Sequence, residues 1–187
     1  WEIRDFSSRT VENESNNSVS NSEGNDFATG EMSPVAYSEY PALEELNTVS
    51  INGADSDSSL DFSKYGPLET VDGNDATCWQ DGSEGYALNE KLYYDFSDTY
   101  YEICGVRIRN GRTDSSSKFE QNGRIKKAEL DFGNDQRIIV NLDDVDEAMF
   151  FEIGARDVSE CTFTILEVYE GSKYEDTCLS EVTFYCK

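Results

Sequence analysis

The loop at residues 71–77 carries the side chains best suited to binding a hard metal ion. Asp72, Asp75 and Thr77 offer oxygen atoms at close spacing, and Gly73 permits the tight turn that would bring them together. Calcium in proteins takes six to eight oxygen ligands, several of them backbone carbonyls. The loop therefore predicts a calcium site. An Asx turn, in which Asp72 accepts hydrogen bonds from its own backbone, explains the same residues equally well.

Trp79 follows this loop and precedes a polar, Gly-rich stretch at residues 80–86. An exposed indole ring suits a sugar, because the C–H face of the sugar packs on the ring while nearby polar groups bind its hydroxyls. Trp79 is therefore a candidate ligand contact. The alternative is a core aromatic that closes one end of the fold, and we favour that interpretation for Trp79 itself.

Catalytic chemistry is restricted by the complete absence of histidine. Ser-His-Asp and Cys-His catalysis and His-ligated zinc are excluded within this chain. A glycosidase would need two carboxylates about 5–10 Å apart across a cleft. The acidic run at residues 143–147 instead has the composition of an exposed loop. We therefore rank an enzyme last and predict no catalytic residue.

The charge balance bounds the partners of the protein. The 187 residues include 39 acidic and 15 basic side chains, a formal net charge of -24. Nucleic acid and anionic membranes would be repelled by such a chain, and no apolar run is long enough to span a bilayer. The sequence predicts neither a nucleic-acid partner nor membrane insertion by this segment. Acidity and a Ser/Asn-rich leader favour an extracellular or cell-surface location.

Alternating apolar and polar residues predict β-strands from about residue 46 onward. Asn134-Asp135 predicts a hairpin turn between two of these strands. About eight strands with almost no helical pattern indicate an all-β fold, either a β-sandwich or a jelly roll. The predicted strands cover residues 47–51, 92–96, 103–109, 126–132, 136–142, 148–153, 161–168 and 179–185.

The first part of the chain has a different composition. Ser, Asn and Glu dominate it, no strand or helix period is visible, and the apolar content is too low to offset chain entropy. Residues 1–45 are therefore predicted to be a low-complexity acidic linker or tether, and residues 46–187 the folded domain. No residue before about Tyr40 is expected in the core.

Three blocks of sequence, in this order, resemble a known family. The first runs over residues 65–79, preceded by residues 57–60, and contains Asp72-Gly73-Asn74 ahead of Thr77-Cys78-Trp79. The second runs over residues 106–111 and 119–126, and the third covers residues 165–182. Together they resemble the NADase-type glycan-binding branch of discoidin-like domains, the coagulation-factor 5/8 type C fold. The resemblance covers about residues 46–187 and implies a discoidin-like jelly roll whose loops bind a ligand, with glycan as the suspected class.

The resemblance also implies how a structural calcium would be held. The matching loop of discoidin-like carbohydrate modules often binds calcium together with a glutamate in the last strand. Carried onto this sequence, Asp72 and Thr77 would supply side-chain oxygens, Glu181 a carboxylate, and Leu68 or Asp75 a backbone carbonyl. If that geometry holds, Cys78 and Cys178 could come within disulfide reach.

Six further residues are candidate ligand contacts, because they lie at strand ends or in loops, where discoidin folds bind their ligands. Arg124 offers a planar fork that can hold two hydroxyls or a carboxylate. The alternative is an internal network in which Arg124 or Lys126 pairs with Asp176 and the Tyr174 hydroxyl caps a loop. The candidates are Asn110, Asn122, Arg124, Lys126, Tyr174 and Asp176.

These inferences predict a non-catalytic carbohydrate-binding module, extracellular or at the cell surface, that binds a glycan or glycoconjugate through loops at one end of a β-sandwich. A surface module that binds a protein partner through the same loops is the alternative. The chain has no histidine to activate its five cysteines, so we do not expect any of these cysteines to act as a nucleophile. Strand parity places Cys104 and Cys161 in the core.

Overall fold

The computed structural model describes residues 30–35, 42, 45–97 and 101–186. The described part is built almost entirely of β-strands, in agreement with the alternating sequence pattern. The strands are β1 (Glu31–Met32), β2 (Asn47–Thr48), β3 (Ile51–Ser56), β4 (Trp79–Gln80), β5 (Lys91–Phe96), β6 (Tyr101–Asn110), β7 (Gly123–Asp131), β8 (Arg137–Asn141), β9 (Ala148–Val158), β10 (Glu160–Tyr169) and β11 (Thr177–Cys186). The helices are a 3₁₀-helix (Pro67–Thr70) and α1 (Ser116–Gln121).

The strands form two layers that are joined at one corner. One layer has the order β3-β5-β10-β7-β8, with β1 on the outer edge of β8. In the other layer β11 lies between β6 and the short strands β2 and β4, and β9 flanks β6. The corner is a short parallel pairing, in which Thr177 and Cys178 of β11 face Gly123 and Arg124 of β7. The end of the sandwich beside this corner carries the loops of interest.

An apolar core fills the space between the layers. Phe184 of β11 lies near its centre, with its ring centroid 5.5 Å from that of Tyr94, 5.1 Å from Phe96 and 6.2 Å from Phe132. These rings come from both layers, so burying them fixes how the layers pack. The predicted all-β sandwich is confirmed.

Several predicted boundaries are wrong. The strand predicted over residues 47–51 is two strands, β2 and β3, and β3 continues to Ser56, five residues beyond the predicted end. Helix α1, with Phe119 buried, was not predicted. Cys161 is in the core as expected, but Cys104 is only half-buried. A register shift between Ile103 and Gly105 breaks the alternation there, so parity fails for Cys104.

The predicted tether has an exception at β1. Glu31 and Met32 pair in parallel with β8, and Met32 packs against the core. The expectation that nothing before Tyr40 contributes to the core is therefore wrong for Met32, whose thioether chain covers apolar surface. Residues 1–29, 36–41 and 43–44 of the predicted tether lie outside the described residues, and the tether stays a prediction there. In the described part of the chain, no helix has the length and apolarity needed to span a bilayer.

Candidate functional site

The loop at residues 72–77 is folded around the hydroxyl of Thr77. Thr77 Oγ1 lies 2.8 Å from Asp72 Oδ2, 2.7 Å from the Asn74 carbonyl and 3.4 Å from the Glu69 carbonyl. Gly73 adopts a φ of +76°, a conformation that favours glycine. One hydroxyl proton can satisfy only one of three acceptor oxygens. The Asn74 carbonyl also accepts the Thr77 N–H at 3.0 Å, so the loop gathers several oxygen atoms around the Thr77 hydroxyl.

Glu181 of β11 faces this loop with an unsatisfied carboxylate. The residue is 4% exposed, and its Oε2 is buried without a hydrogen-bond partner. Burial raises the pKa of Glu181 to about 7, and the charges of Asp72 and Asp75 add to the rise, while the Gly73 backbone and Arg107 oppose it. The carboxylate thus lacks a cationic partner sufficient to keep it ionised.

The other two predicted calcium ligands have protein partners. Asp75 holds Arg107 through two hydrogen bonds of 3.1 and 2.7 Å, and its carbonyl accepts a hydrogen bond from the Thr113 hydroxyl. The Leu68 carbonyl accepts the Val71 N–H at 3.2 Å. Each carbonyl retains a second lone pair, so both remain available as backbone ligands.

The donor set fits calcium better than a transition metal. The described residues contain no group of three or more histidine, cysteine or carboxylate side chains at metal-binding spacing. A site here would rely on two carboxylates, Asp72 and Glu181, completed by the Thr77 hydroxyl and backbone carbonyls. Hard oxygen donors of this mixed kind suit Ca²⁺. The Asx turn is also present, since Asp72 Oδ1 accepts the Asn74 N–H at 2.8 Å.

Trp79 is a core residue, which corrects its inclusion among the ligand contacts. Its side chain is 0% exposed, and its indole Nε1–H donates to the Ser58 carbonyl at 2.9 Å. A ring that is fully enclosed offers no face to a sugar. The alternative interpretation given for Trp79, that it is a core aromatic, is confirmed.

Asn110 and Asn122 are also structural, which corrects their prediction as ligand contacts. The Asn110 amide donates to the Ile125 carbonyl at 2.7 Å and accepts the Ile125 N–H at 3.0 Å, so it bridges β6 and β7. The Asn122 amide donates to the Lys118 carbonyl at 2.8 Å at the end of α1. Both residues are buried, because each amide replaces backbone bonds that these elements cannot make for themselves.

Arg124 is committed to an internal network. Its guanidinium donates to Asp144 Oδ1 at 3.0 Å and Oδ2 at 2.8 Å, and to the carbonyls of Asn122 and Glu170 at 2.8 Å each. The side chain is 9% exposed. The predicted ligand contact is therefore corrected to a structural ion pair, and its partner is Asp144 rather than Asp176.

Lys126 is exposed, and its ammonium forms an ion pair with Glu167 at 2.7 Å. The alternative pairing of Lys126 with Asp176 is therefore wrong. Tyr174 and Asp176 remain candidate contacts, because they lie at the surface. Tyr174 is 42% exposed, and the Lys173 ammonium lies 4.7 Å from its ring centroid.

A shallow groove lies between the 72–77 loop and α1, with a volume of about 510 Å³. We call it the Tyr65–Arg112 groove. The groove contains the aromatic ring of Tyr65. The Lys64 ammonium lies 4.9 Å and the Arg112 guanidinium 5.3 Å from the centroid of this ring. Arg112 also donates to Asp114 at 3.2 Å. The polar residues that line the groove are Ser63, Lys64, Tyr65, Glu69, Thr77, Arg112, Asp114 and Lys118.

Gln80 connects this groove to Asp176. Arg112 donates to Gln80 Oε1 at 3.4 Å, and Gln80 Nε2 donates to Asp176 Oδ2 at 2.9 Å. The groove is therefore linked to one of the predicted contacts by hydrogen bonds through the buried Gln80 amide. Three of the protein's few basic side chains meet here, which sets the groove apart from a strongly acidic chain. An aromatic face beside a guanidinium fork, an ammonium and a carboxylate is suited to binding hydroxylated ligands.

Sequence reasoning missed the groove residues Tyr65, Arg112, Asp114 and Lys118. The available signal was the concentration of cations after β6, where Arg112 and Lys118 stand close together in an otherwise acidic chain. Tyr65 lies far away in sequence, so its place beside Arg112 is set only by the fold.

Cys78 and Cys178 are in contact beneath the groove. The structure has both as thiols, and both are buried. The hydrogen bond with Cys178 lowers the pKa of Cys78, with a further lowering from nearby Arg112, while burial raises the pKa of Cys178. The two residues are neighbours as expected, and their disulfide stays a prediction for the oxidised protein.

The jelly roll and the 72–77 loop place the chain among discoidin-like, or F5/8 type C, domains. Residues 41–185 match the family described as the NAD glycohydrolase translocation F5/8 type C domain, and the chain belongs to this family. No curated protein shows a significant sequence match to it.

Solved structures share the fold at low identity. The CBM32-1 and CBM32-2 domains of Clostridium perfringens ZmpB, in complex with GalNAc, match with a TM-score of 0.64 and 11% identity, over 88% of this chain and 42% of that one. CpGH89CBM32-5 from C. perfringens, in complex with GalNAc-β-1,3-galactose, gives 0.56 and 17%, over 72% and 94%. An F5/8 type C domain from Bacteroides fragilis gives 0.53 and 15%, over 74% and 97%. The chain thus spans less than half of the first structure.

Proposed function

We propose that the protein is a non-catalytic, extracellular or cell-surface carbohydrate-binding module whose ligand occupies the Tyr65–Arg112 groove. The observation that carries this proposal is the groove itself, in which a tyrosine ring, a guanidinium fork and two ammonium groups converge on one side of the sandwich. The relatives of the same fold that were solved with GalNAc or GalNAc-β-1,3-galactose support the ligand class. GalNAc-containing glycans are the first ligands to test.

The groove chemistry is compatible with neutral or acidic sugars. Arg112 donates to Asp114 and Gln80, and its remaining N–H groups can donate to a sugar hydroxyl or to a carboxylate. Asp114 can accept from a hydroxyl. The Tyr65 ring offers an apolar face for the C–H side of a sugar. Because the groove is shallow and its polar contacts are few, we expect weak binding to each site and avidity from display in several copies.

We also propose a structural calcium ion at the 72–77 loop. Asp72, Thr77 and Glu181 would hold it with backbone carbonyls of Leu68 and Asp75, and the ion would supply the positive charge that the Glu181 carboxylate lacks. Thr77 and Glu69 border both the loop and the groove. Ordering the loop would therefore fix one wall of the groove.

The test is titration of the protein with GalNAc and GalNAc-β-1,3-galactose by NMR or calorimetry, with calcium present. Arg112→Ala should abolish binding, because it removes the only fork in the lining. Arg137→Ala is the matched control: Arg137 is 60% exposed on β8 and pairs only with Asp131 at 2.8 Å among the described contacts, so its loss should leave binding unchanged.

The melting temperature of each variant is measured alongside. Lost binding in a folded Arg112→Ala variant, with binding retained in Arg137→Ala, would support the groove as the site. Wild-type protein that binds no glycan on a broad glycan array, with or without calcium, would contradict the function. Glycan binding that survives Arg112→Ala would keep the function but move the site.

A further inference from the structure

A second set of unsatisfied oxygens lies away from the 72–77 loop. Six buried side-chain atoms of the described residues have no hydrogen-bond partner, and four of them belong to Asp81, Glu90 and Thr177. Asp81 and Thr177 are each 0% exposed. Buried polar groups in folded proteins are nearly always paired. Such a concentration in one place therefore requires an explanation.

Strand register puts Asp81 and Thr177 opposite each other. Trp79 and Gln80 of β4 pair with Leu179 and Cys178 of β11, and the pairing continues as the Asp81 N–H donates to the Thr177 carbonyl at 3.1 Å. Trp79 and Leu179 both face the core. Side chains alternate along a strand, so Asp81 and Thr177, two residues further on, share that inner face.

Glu90 approaches the same space from the other layer. It directly precedes β5, and its carbonyl accepts the N–H of Ile165, a core residue of β10, at 3.0 Å. Its Oε2 is buried and unpartnered. The charge of Glu90 contributes to the raised pKa of Asp81, so the two carboxylates lie within electrostatic range of each other.

The backbone of β7 comes close to the Thr177 hydroxyl. Gly123 of β7 pairs with Thr177 on the side away from β4, and a Cβ at this position would lie 2.8 Å from Thr177 Oγ1. A side chain at position 123 would collide with Thr177. Glycine is therefore required for this close approach, and β7 encloses the unpartnered Thr177 hydroxyl on the side away from β4.

The protein alone does not neutralise these groups. Burial raises the pKa of Asp81 to about 7; the Thr177 backbone opposes the rise, and the charges of Asp176 and Glu90 add to it. The side-chain ion pairs of the described residues involve none of Asp81, Glu90 or Thr177. A buried carboxylate without a partner is destabilising unless a cation or a proton joins it.

We propose that Asp81, Glu90 and Thr177 form a second calcium site, between the sheet layers and distinct from the 72–77 loop. Carboxylate and hydroxyl oxygens are the donors that a hard divalent cation takes, and the nearby carbonyls of an enclosed site can complete the six to eight oxygens that calcium needs. The site does not depend on glycan binding. Its ion would hold β4 and β11 against the start of β5.

The test counts calcium ions per chain by equilibrium dialysis and calorimetry on the purified, folded protein. Wild-type protein should bind two ions. Asp81→Asn should bind one, because the variant removes the buried charge at nearly constant shape. Thr177→Val should retain two ions, with affinity for one of them weakened roughly tenfold, the scale on which a lost supporting oxygen weakens a metal site.

Asp176→Asn is the matched control, because it removes one carboxylate charge next to Thr177 in sequence, from a side chain that accepts a hydrogen bond from Gln80. This variant should retain both ions. Asp72→Ala identifies the ion of the loop and should leave the second ion bound. The proposal would be overturned if Asp81→Asn and Thr177→Val both bound as many calcium ions as the wild-type protein, with the same affinities. If Asp81→Asn fails to fold, the wild-type count and the Thr177→Val affinities decide it.

Discussion

Replacing Arg124 by alanine should destabilise the domain rather than remove ligand binding. The guanidinium makes four hydrogen bonds, two to Asp144 and one each to the Asn122 and Glu170 carbonyls. It also lies 5.4 Å from the ring centroid of Phe119 in α1. Arg124 therefore ties the start of β7 to α1, to the 142–147 connection and to the end of β10. Its removal leaves all these partners unpaired.

The size of the effect follows from burial. Breaking a buried ion pair by removing one partner costs about 3–5 kcal/mol. The Asp144 side chain is 39% exposed, so it can regain water after the loss, which favours the lower end, about 3 kcal/mol. In a domain of this size each kcal/mol corresponds to about 2–4 °C of melting temperature. Arg124→Ala should therefore lower the melting temperature by about 6–12 °C.

Thermal unfolding followed by circular dichroism measures this, with Lys126→Ala as the control. Lys126 is two residues further along the same strand, and its pair with Glu167 is exposed on both sides, so its loss should change the melting temperature far less. Arg124→Lys keeps the charge but not the fork, and should fall between the two. An Arg124→Ala melting temperature equal to that of Lys126→Ala would refute the structural role and restore Arg124 as a surface residue.

Two further predictions concern the region around the 72–77 loop. Chelation of calcium should lower the melting temperature, because an ion that binds only the folded state stabilises it by about 2.7 kcal/mol at a hundredfold excess over its Kd. Asp72→Ala should reduce the effect of the chelator on the melting temperature. A melting temperature that changes neither with chelator nor with millimolar calcium would contradict both proposed sites. Peptide mapping of oxidised, unreduced protein should recover Cys78 linked to Cys178, since the two thiols are in contact, and recovering both with free thiols after oxidation would contradict the disulfide.

Local patterns in the sequence predicted the strands well but failed where the backbone is irregular. The alternation of Ala128, Leu130 and Phe132 is reproduced in β7 and its end, because a regular strand must bury every second residue. The alternation around Cys104 fails, since a register shift moves the next residue to the other face. Such irregularities depend on the neighbouring strands, which one segment of sequence does not specify.

The site was less predictable than the fold. Arg124 and Asn110 were chosen because polar side chains at strand ends resemble ligand contacts, yet both satisfy backbone or carboxylate groups of other elements. Whether a polar residue faces solvent or an internal partner is decided by tertiary packing. Tyr65 and Arg112 show the converse, because residues from separate elements became neighbours only in the folded chain.

The position of β11 has a consequence for how the chain is made. This strand is the last one described, yet it lies in the middle of its layer, pairing with β2, β4, β6 and β7, and its Phe184 lies near the centre of the core. A ribosome-bound chain that still lacks β11 therefore exposes the edges of β6 and β7 and much of its apolar interior to other nascent chains. Completion depends on contacts between residues distant in sequence, which form slowly. Mutual repulsion between copies that each carry a net charge of -24 protects the protein during that interval.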